Sequence, residues 1–221
     1  MERRSSSPSP PLPRTDAPGD PTVFIVDDEV AVAESLRWLI ESVGLRVETF
    51  SAASDFLACY RPERAGCLVL DVRMPEMSGL ELQDRLKGQG VSLPIIFVTG
   101  HGGVQTAVRA LKGGAIDFIE KPFDDQRMLD LVHKALALDA ETRRHTAAQA
   151  GAAARYASLS AREREVLDLL IEGQTNKSIA RSLGLSAKTV ETYRANVMQK
   201  MAAPTVPHLV KQVLDLRRAR R

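Results

Sequence analysis

The chain of 221 residues predicts two domains of different class: an α/β domain on a five-stranded parallel sheet and, after a helical linker, a small all-α domain of four helices. Three features of the sequence lead there. Short β-branched or apolar runs alternate with longer amphipathic stretches as far as Phe123. From Leu159 onward the apolar spacing is helical throughout. A net charge of only +2 divides into −6 over residues 21–140 and +8 over residues 141–221, so an acidic half precedes a basic one and different partners are expected for each.

Residues 1–20 open with Ser5-Ser6-Ser7-Pro8-Ser9-Pro10-Pro11, which has no helical or strand period, and a disordered Ser/Pro-rich tail is expected there. The α/β domain is placed at 21–139. Its strands are the runs Val23-Phe24-Ile25-Val26, 47–50, Cys67-Leu68-Val69-Leu70, Ile95-Ile96-Phe97-Val98 and Asp117-Phe118-Ile119. The continuous apolar character of four of them suits burial on both faces. Helices are expected at 30–43, 52–59, 80–87 and 104–112, with another after Asp124. That last pattern, Met128, Leu131, Val132, Ala135, Leu138, runs into Ala-rich sequence to about Arg155, where Gly151 is the one expected interruption. Residues 140–156 read as a helical linker, either dimer-forming or a partly frayed connector. In the all-α domain, 157–221, Ser160 caps the first helix and Gly173 ends it, and residues 176–183 form the second. Gly184 then makes a turn, Ser186 caps a third helix reaching about Met201, and Pro204 with Pro207 sets off a fourth to about Leu216.

Composition excludes several classes. No stretch approaches the roughly 18 apolar residues of a membrane-spanning helix and no signal-peptide core is present, so a cytoplasmic location without a membrane partner is expected. Cys59 and Cys67 are too few for a disulfide framework or a four-ligand zinc site, and they read as packing residues.

The acidic half carries the chemistry. Asp27 and Asp28 follow the first strand, Asp71 ends the third, Thr99 ends the fourth and Lys121 follows the fifth. In an open parallel sheet such carboxyl ends converge on one edge. Carboxylates gathered there repel one another, and a hard divalent cation with oxygen ligands, Mg²⁺ or Mn²⁺, relieves this. A Lys ammonium and a Thr hydroxyl suit the other oxygens of a phosphoryl group, and Asp71 is the candidate nucleophile that would accept it as an acyl phosphate. The alternative for each residue alone is structural: Asp27-Asp28-Glu29 capping the next helix and Asp71 opening a turn.

Taken together, the Asp pair, Asp71-Val72-Arg73-Met74-Pro75-Glu76-Met77-Ser78-Gly79, Val98-Thr99-Gly100 and Glu120-Lys121-Pro122-Phe123 resemble, in order and spacing, the flavodoxin-like receiver domain of bacterial two-component response regulators. The stretch from Thr99 to Phe123 resembles the FixJ-like subgroup. The resemblance covers residues 22 to about 139. It implies phosphoryl transfer from a sensor histidine kinase to Asp71, with Mg²⁺ held by Asp28, Asp71 and the backbone carbonyl of Arg73, and Asp27 assisting through water. It further implies that Lys121 binds the phosphate, that Thr99 and Phe118 move as the switch, and that Lys121-Pro122 is cis. Gly103 departs from the subgroup, which usually has an acid there. A haloacid-dehalogenase-like phosphatase also uses Mg²⁺ and an Asp nucleophile, but needs a second Asp where this chain has Arg73, and no cap domain is read in the sequence. No turnover of a small substrate is expected beyond self-phosphorylation and slow autodephosphorylation.

In the basic half, two short helices around Gly184 suggest helix-turn-helix. On the helix from Ala187, Val190, Val197 and Met201 form the packed stripe, leaving Lys188, Glu191, Thr192, Ala195 and Gln199 on the outer face as candidates to read base edges. Lys177, Thr189, Arg194 and Lys200 are candidates for phosphate contacts, while Arg181, Arg217, Arg218, Arg220 and Arg221 add positive field. A solvated charged face on a helical bundle is the plainer alternative. Residues 159–201, including Asn176-Lys177-Ser178-Ile179-Ala180 and Thr189-Val190-Glu191, closely resemble the LuxR-type DNA-binding domain, with Tyr193 in place of the more usual His. That resemblance implies a third helix in the major groove of double-stranded promoter DNA and a dimer contact on the last helix. The combined expectation is a phosphorylation-controlled transcription factor, more often an activator, with RNA polymerase as a further partner and a homodimer that is either phosphorylation-linked or constitutive through the linker. A non-DNA adaptor whose basic domain binds RNA or protein is the rival of different class.

Overall fold

The structure, a computed structural model, describes residues 20–100 and 103–219. The tail expected at the N-terminus, His101, Gly102, Arg220 and Arg221 lie outside the described residues. The described residues divide into two compact units, which part between Glu141 and Thr142.

In the first unit the elements alternate: β1 (Thr22–Val26), α1 (Val30–Ser42), β2 (Arg46–Phe50), α2 (Ala53–Cys59), β3 (Gly66–Asp71), α3 (Gly79–Gly88), β4 (Ile95–Thr99), α4 (Val104–Gly113), β5 (Asp117–Glu120) and the start of α5 (Asp125–Ala157). All strand pairs are parallel, in the order β2-β1-β3-β4-β5. Because side chains alternate across a strand, each apolar run serves two cores. Val23, Ile25, Cys67, Val69, Ile96 and Val98 pack on one face with residues of α1 and α5. Phe24, Val26, Leu68, Leu70, Ile95 and Phe97 pack on the other against α2, α3 and α4.

The order reverses between β1 and β3, which lie side by side with Val26 opposite Leu70. That reversal opens a crevice beyond the strands' carboxyl ends, the usual position of ligand sites in open parallel sheets. α3 begins beside it, fixed by Ser78, whose hydroxyl accepts from the Glu81 N–H while the Glu81 carboxylate accepts from the Ser78 N–H. Gly79 is required there: a Cβ on it would lie 2.1 Å from the carbonyl oxygen of Asp71.

α5 runs unbroken for 33 residues, and Gly151 does not interrupt it. The surrounding alanines, among the strongest helix formers, outweigh the roughly 1 kcal/mol cost of one glycine. Its residues from Thr142 onward group with the second unit, where Ala152 is buried and Tyr156 packs against the helical core. There follow α6 (Ala161–Ile171), α7 (Asn176–Leu183), α8 (Ala187–Lys200) and α9 (Val206–Ala219). Ser160, Thr175 and Ser186 cap α6, α7 and α8 by accepting backbone N–H groups. Gly184, with φ of 67°, provides the left-handed residue between α7 and α8.

Candidate functional site

Strand register delivers the first constellation. Asp71 is the last residue of β3 and pairs in register with Val98, next to Thr99; Thr99 in turn faces Glu120, next to Lys121. The Lys121 N–H donates to the Thr99 carbonyl at 2.8 Å, holding the chain after β5 against the end of β4, and the Lys121-Pro122 peptide is cis. Four of the residues singled out from sequence thus share one edge. Asp27, Asp71 and Thr99 are buried, Lys121 is half-buried and Asp28 is exposed.

Lys121 Nζ lies 2.8 Å from Asp27 Oδ2 and 3.4 Å from Asp71 Oδ1, so one ammonium bridges both buried carboxylates; Glu29 Oε1 is 3.7 Å away at the exposed rim. Asp71 Oδ2 accepts from the Arg73 N–H at 2.6 Å, and Asp27 Oδ1 from the Glu29 N–H at 2.9 Å. Burial pushes the Asp71 carboxyl above its ordinary range, assisted by the charge of Asp27 and only partly opposed by the Arg73 N–H and Lys121. Burial pulls the Lys121 ammonium down, but hydrogen bonds and charge from Asp27 and Asp71 outweigh it and leave it raised. The structural alternatives fare unequally. Glu29 occupies the N-cap of α1 without a side-chain capping bond, whereas Asp71 does bond the turn two residues on.

These oxygens suit a hard divalent cation. Among the described residues no three His, Cys, Asp or Glu side chains form a metal cage of their own. Mg²⁺ is commonly held by one or two carboxylates, with water and phosphate completing its shell, and the two buried carboxylates of Asp27 and Asp71 are ligands of that kind. Phe118 is partly buried, its ring 6.5 Å from that of Phe97. Gly103 is the N-cap of α4 and contributes no side-chain bond.

The second constellation lies on α8. Val190, Val197 and Met201 are fully buried, while Lys188, Glu191, Thr192, Ala195 and Gln199 are all exposed. At the start of α8 the Ser186 hydroxyl accepts from the Thr189 N–H, and Thr192 Oγ1 donates to the Lys188 carbonyl one turn back at 3.2 Å. Lys177 is exposed, and Thr189 Oγ1 sits 2.8 Å from the Ser186 hydroxyl at the cap. The other two phosphate candidates also have partners inside the unit: Arg194 bonds Asn176 Oδ1, joining α8 to α7, and Lys200 Nζ bonds Glu163 Oε2 at 2.8 Å, joining α8 to α6.

Sequence reasoning passed over two buried acids. Asp139 continues the stripe of Ala135 on α5 and accepts from the Gly66 N–H at 2.9 Å, at the start of the strand that ends in Asp71. The apolar period already placed it on the buried face, where an acid needs a partner. Glu163, visible as the third residue of a capping box, is buried by its additional bond to Lys200.

Comparison with known proteins extends this geometry. Residues 23–133 match the response regulator receiver domain, and residues 157–213 match the bacterial regulatory proteins of the luxR family. The transcriptional regulatory protein FixJ of Azorhizobium caulinodans is 48% identical over 192 residues, 87% of this chain and 91% of that protein. The transcriptional regulatory protein TdiR of Thauera aromatica is 43% identical over 193 residues, 87% of this chain and 85% of that one. A low-resolution structure of the response regulator StyR is similar with a TM-score of 0.82 at 47% identity, covering 89% of this chain and 100% of that chain. Full-length FixJ from B. japonicum is similar with a TM-score of 0.54 at 42% identity, covering 88% and 96%. With a receiver fold at one end and a LuxR-type DNA-binding domain at the other, the chain belongs to the two-component response regulators and is a transcriptional regulatory protein rather than a metabolic enzyme.

Proposed function

We propose that Asp71 accepts a phosphoryl group from a sensor histidine kinase and that this controls promoter binding by α8. The observation that carries the proposal is the meeting of Asp71, Asp27 and Lys121 at the strand-order reversal, with one ammonium within 3.4 Å of both carboxylates. An oxygen of Asp71 attacks the phosphorus, the bond to the donor breaks, and an acyl phosphate results. Lys121 is free to swing from Asp27 to the new phosphate oxygens, and Thr99, at the end of β4, reaches the same group. Asp28, Asp71 and the Arg73 carbonyl would hold Mg²⁺, with Asp27 acting through water; the ion supplies countercharge for the transferring group. Rearrangement of Thr99 and of the half-buried Phe118 is the proposed switch, altering the surface of α4, β5 and α5.

The output is a homodimer on a roughly twofold operator, with Lys188, Glu191, Thr192, Ala195 and Gln199 facing base edges and Lys177 and Thr189 facing phosphates. Arg194 and Lys200 reach phosphates only by sharing or exchanging Asn176 and Glu163. Residues 140–156 act as the linker, RNA polymerase is the partner at the promoter, and the cytoplasm is the site of action; no helix among the described residues is long and apolar enough to cross a membrane.

Sedimentation with Mg²⁺, with and without acetyl phosphate, tests this against Asp71→Asn. A shift from monomer to dimer in the wild type alone is the expected result. A dimer throughout, with Asp71 phosphorylated, moves control to geometry along α5. Failure of Asp71 to take a phosphoryl group from any donor, or dependence on a different residue, overturns the reading.

A further inference from the structure

The two ends of α4 are held very differently. Ala110, near the end, is the one buried residue of this helix, in the core with Leu82, Leu86 and Phe97. At the start, the N-cap Gly103 offers no side-chain bond, and Val104 in the first turn is 81% exposed. At the finish, Gly114 takes the left-handed cap with φ of 103°, and the Ala110 carbonyl accepts from the Gly114 and Ala115 N–H groups. Gln83 of α3 supplies that carbonyl with a further donor: its Nε2 bonds it at 3.0 Å, across 27 positions of sequence.

Gln83 is 4% exposed and shares the buried side of α3 with Leu82 and Leu86, where an amide is costly unless it is bonded. Gly113 makes its room. A Cβ on Gly113 would lie 2.7 Å from the Gln83 amide carbon and 2.9 Å from Nε2, so the amide fills the space that any larger residue at 113 would take. Gly113, unlike Gly114, has no left-handed conformation that calls for glycine, and it is the Gln83 amide that requires one there. Arg109 and Asp84 pair at 3.1 Å beside this contact, but both are largely exposed and add little. We propose that Gln83 is a positioning residue that pins the last turn of α4 to α3, so that α4 pivots about Ala110 and Gly113 and its first turn, the one that follows Thr99, is the part that moves. A displacement of the chain after Thr99 is then carried to exposed Val104 and Val108, while the end of the helix stays in place. Use of the pivot in signalling rests on the reading of Asp71 as phosphoryl acceptor; the tether does not.

Amide hydrogen exchange of the full chain, read residue by residue by NMR, tests it. Without a phosphoryl donor, the Gly114 and Ala115 amides should be protected about tenfold more than those of Ala107 and Val108, and the Gln83 side-chain amide should itself exchange slowly. Gln83→Leu keeps the volume and removes the bond, and should lower protection at Gly114 and Ala115 by about tenfold while the strand amides of β1 and β3 are unchanged. Gly113→Ala separates a tether from simple helix stability. Alanine is the better helix former, so propensity alone would raise protection at this end, whereas expulsion of the Gln83 amide lowers it. Raised protection in Gly113→Ala, or unchanged protection in Gln83→Leu, overturns the proposal. With Mg²⁺ and acetyl phosphate, amide shift changes in the wild type should cover Gln105 to Val108 and stop short of Gly114, and in either variant they should extend through Ala115. Changes that run through Ala115 in the wild type overturn the pivot. Failure of Asp71 to take the group, read from the intact mass, overturns the pivot's use in signalling together with the function proposed above, whereas the tether stands or falls on the variants measured without donor.

Discussion

Lys121 Nζ stands 2.8 Å from Asp27 Oδ2 across 94 positions of sequence, and the same ammonium lies 3.4 Å from Asp71 Oδ1. Lys121→Ala leaves two buried carboxylates without their shared countercharge. Because the pair is only partly closed to solvent, the loss should be about 2 kcal/mol rather than the larger cost of breaking a fully buried pair. Urea denaturation at pH 7 measures it, and an unchanged midpoint would show that water serves the carboxylates equally well.

Burial raises the Asp71 carboxyl, so the folded chain keeps that proton to a higher pH than the unfolded chain does. Stability from this group is therefore fully present below the ordinary carboxylate range near about 3.9 and is lost as pH rises through the raised folded value. Asp71→Asn removes the loss. Its thermal midpoint should exceed that of the wild type at neutral pH, and the difference should vanish in acid. A gain of equal size at both pH values would point to packing instead of charge.

Two glycines of α3 should respond oppositely to alanine. Gly79→Ala drives a Cβ to 2.1 Å from the Asp71 carbonyl oxygen, a backbone atom that cannot turn aside, and should cost about 3 kcal/mol while disturbing the acceptor residue itself. Gly88→Ala meets nothing within 4 Å and should be neutral or stabilising by about 0.5–1 kcal/mol. Paired thermal melts decide between them.

The Ser160 cap and the Glu163–Lys200 pair hold α6 to α8 in the second unit. Ser160→Ala should cost about 1 kcal/mol. The Lys200 hydrogen bond, ahead of the bonds at Ser160, holds the Glu163 carboxyl below its usual range. Stability from it is thus present above that range and is lost as pH falls through the lowered folded value. Glu163→Gln should lower the melting midpoint at pH 7 and leave it unchanged in strong acid; an equal effect at both would mean that the charge plays no part.

On duplex DNA, Lys177→Ala should weaken binding similarly for all sequences and reduce the slope of log affinity against log salt by about one. Glu191→Ala or Gln199→Ala should relax preference at single base pairs, worth about 1–3 kcal/mol each, with little change in slope. Mobility shifts across a salt series and an operator library separate the two behaviours. Equal binding to every polyanion would favour the adaptor reading.

Most of the architecture was legible because period and punctuation are local. Short apolar runs marked β1, β3 and β4, and Ser160, Gly173, Gly184 and Ser186 marked the edges of α6 to α8 within a residue or two. The unbroken course of α5 through Gly151 was not, since one glycine's cost is small against its alanine neighbours. Of the candidate site, the spacing of Asp27, Asp71, Thr99 and Lys121 by whole βα units identified which residues could converge, and the apolar stripe put Val190 and Val197 inside and Gln199 outside.

Partnership was decided by tertiary structure alone. That Lys121 bridges Asp27 and Asp71, that Lys200 is held by Glu163 and Arg194 by Asn176, and that Asp139 closes on Gly66 depend on distances of a few ångströms between residues far apart in the chain. Residue type and local period determine which side chain is buried or exposed and what chemistry it carries. Which neighbour satisfies a buried charge depends on how strands and helices pack, and that follows from the summed burial of many side chains instead of from any local signal.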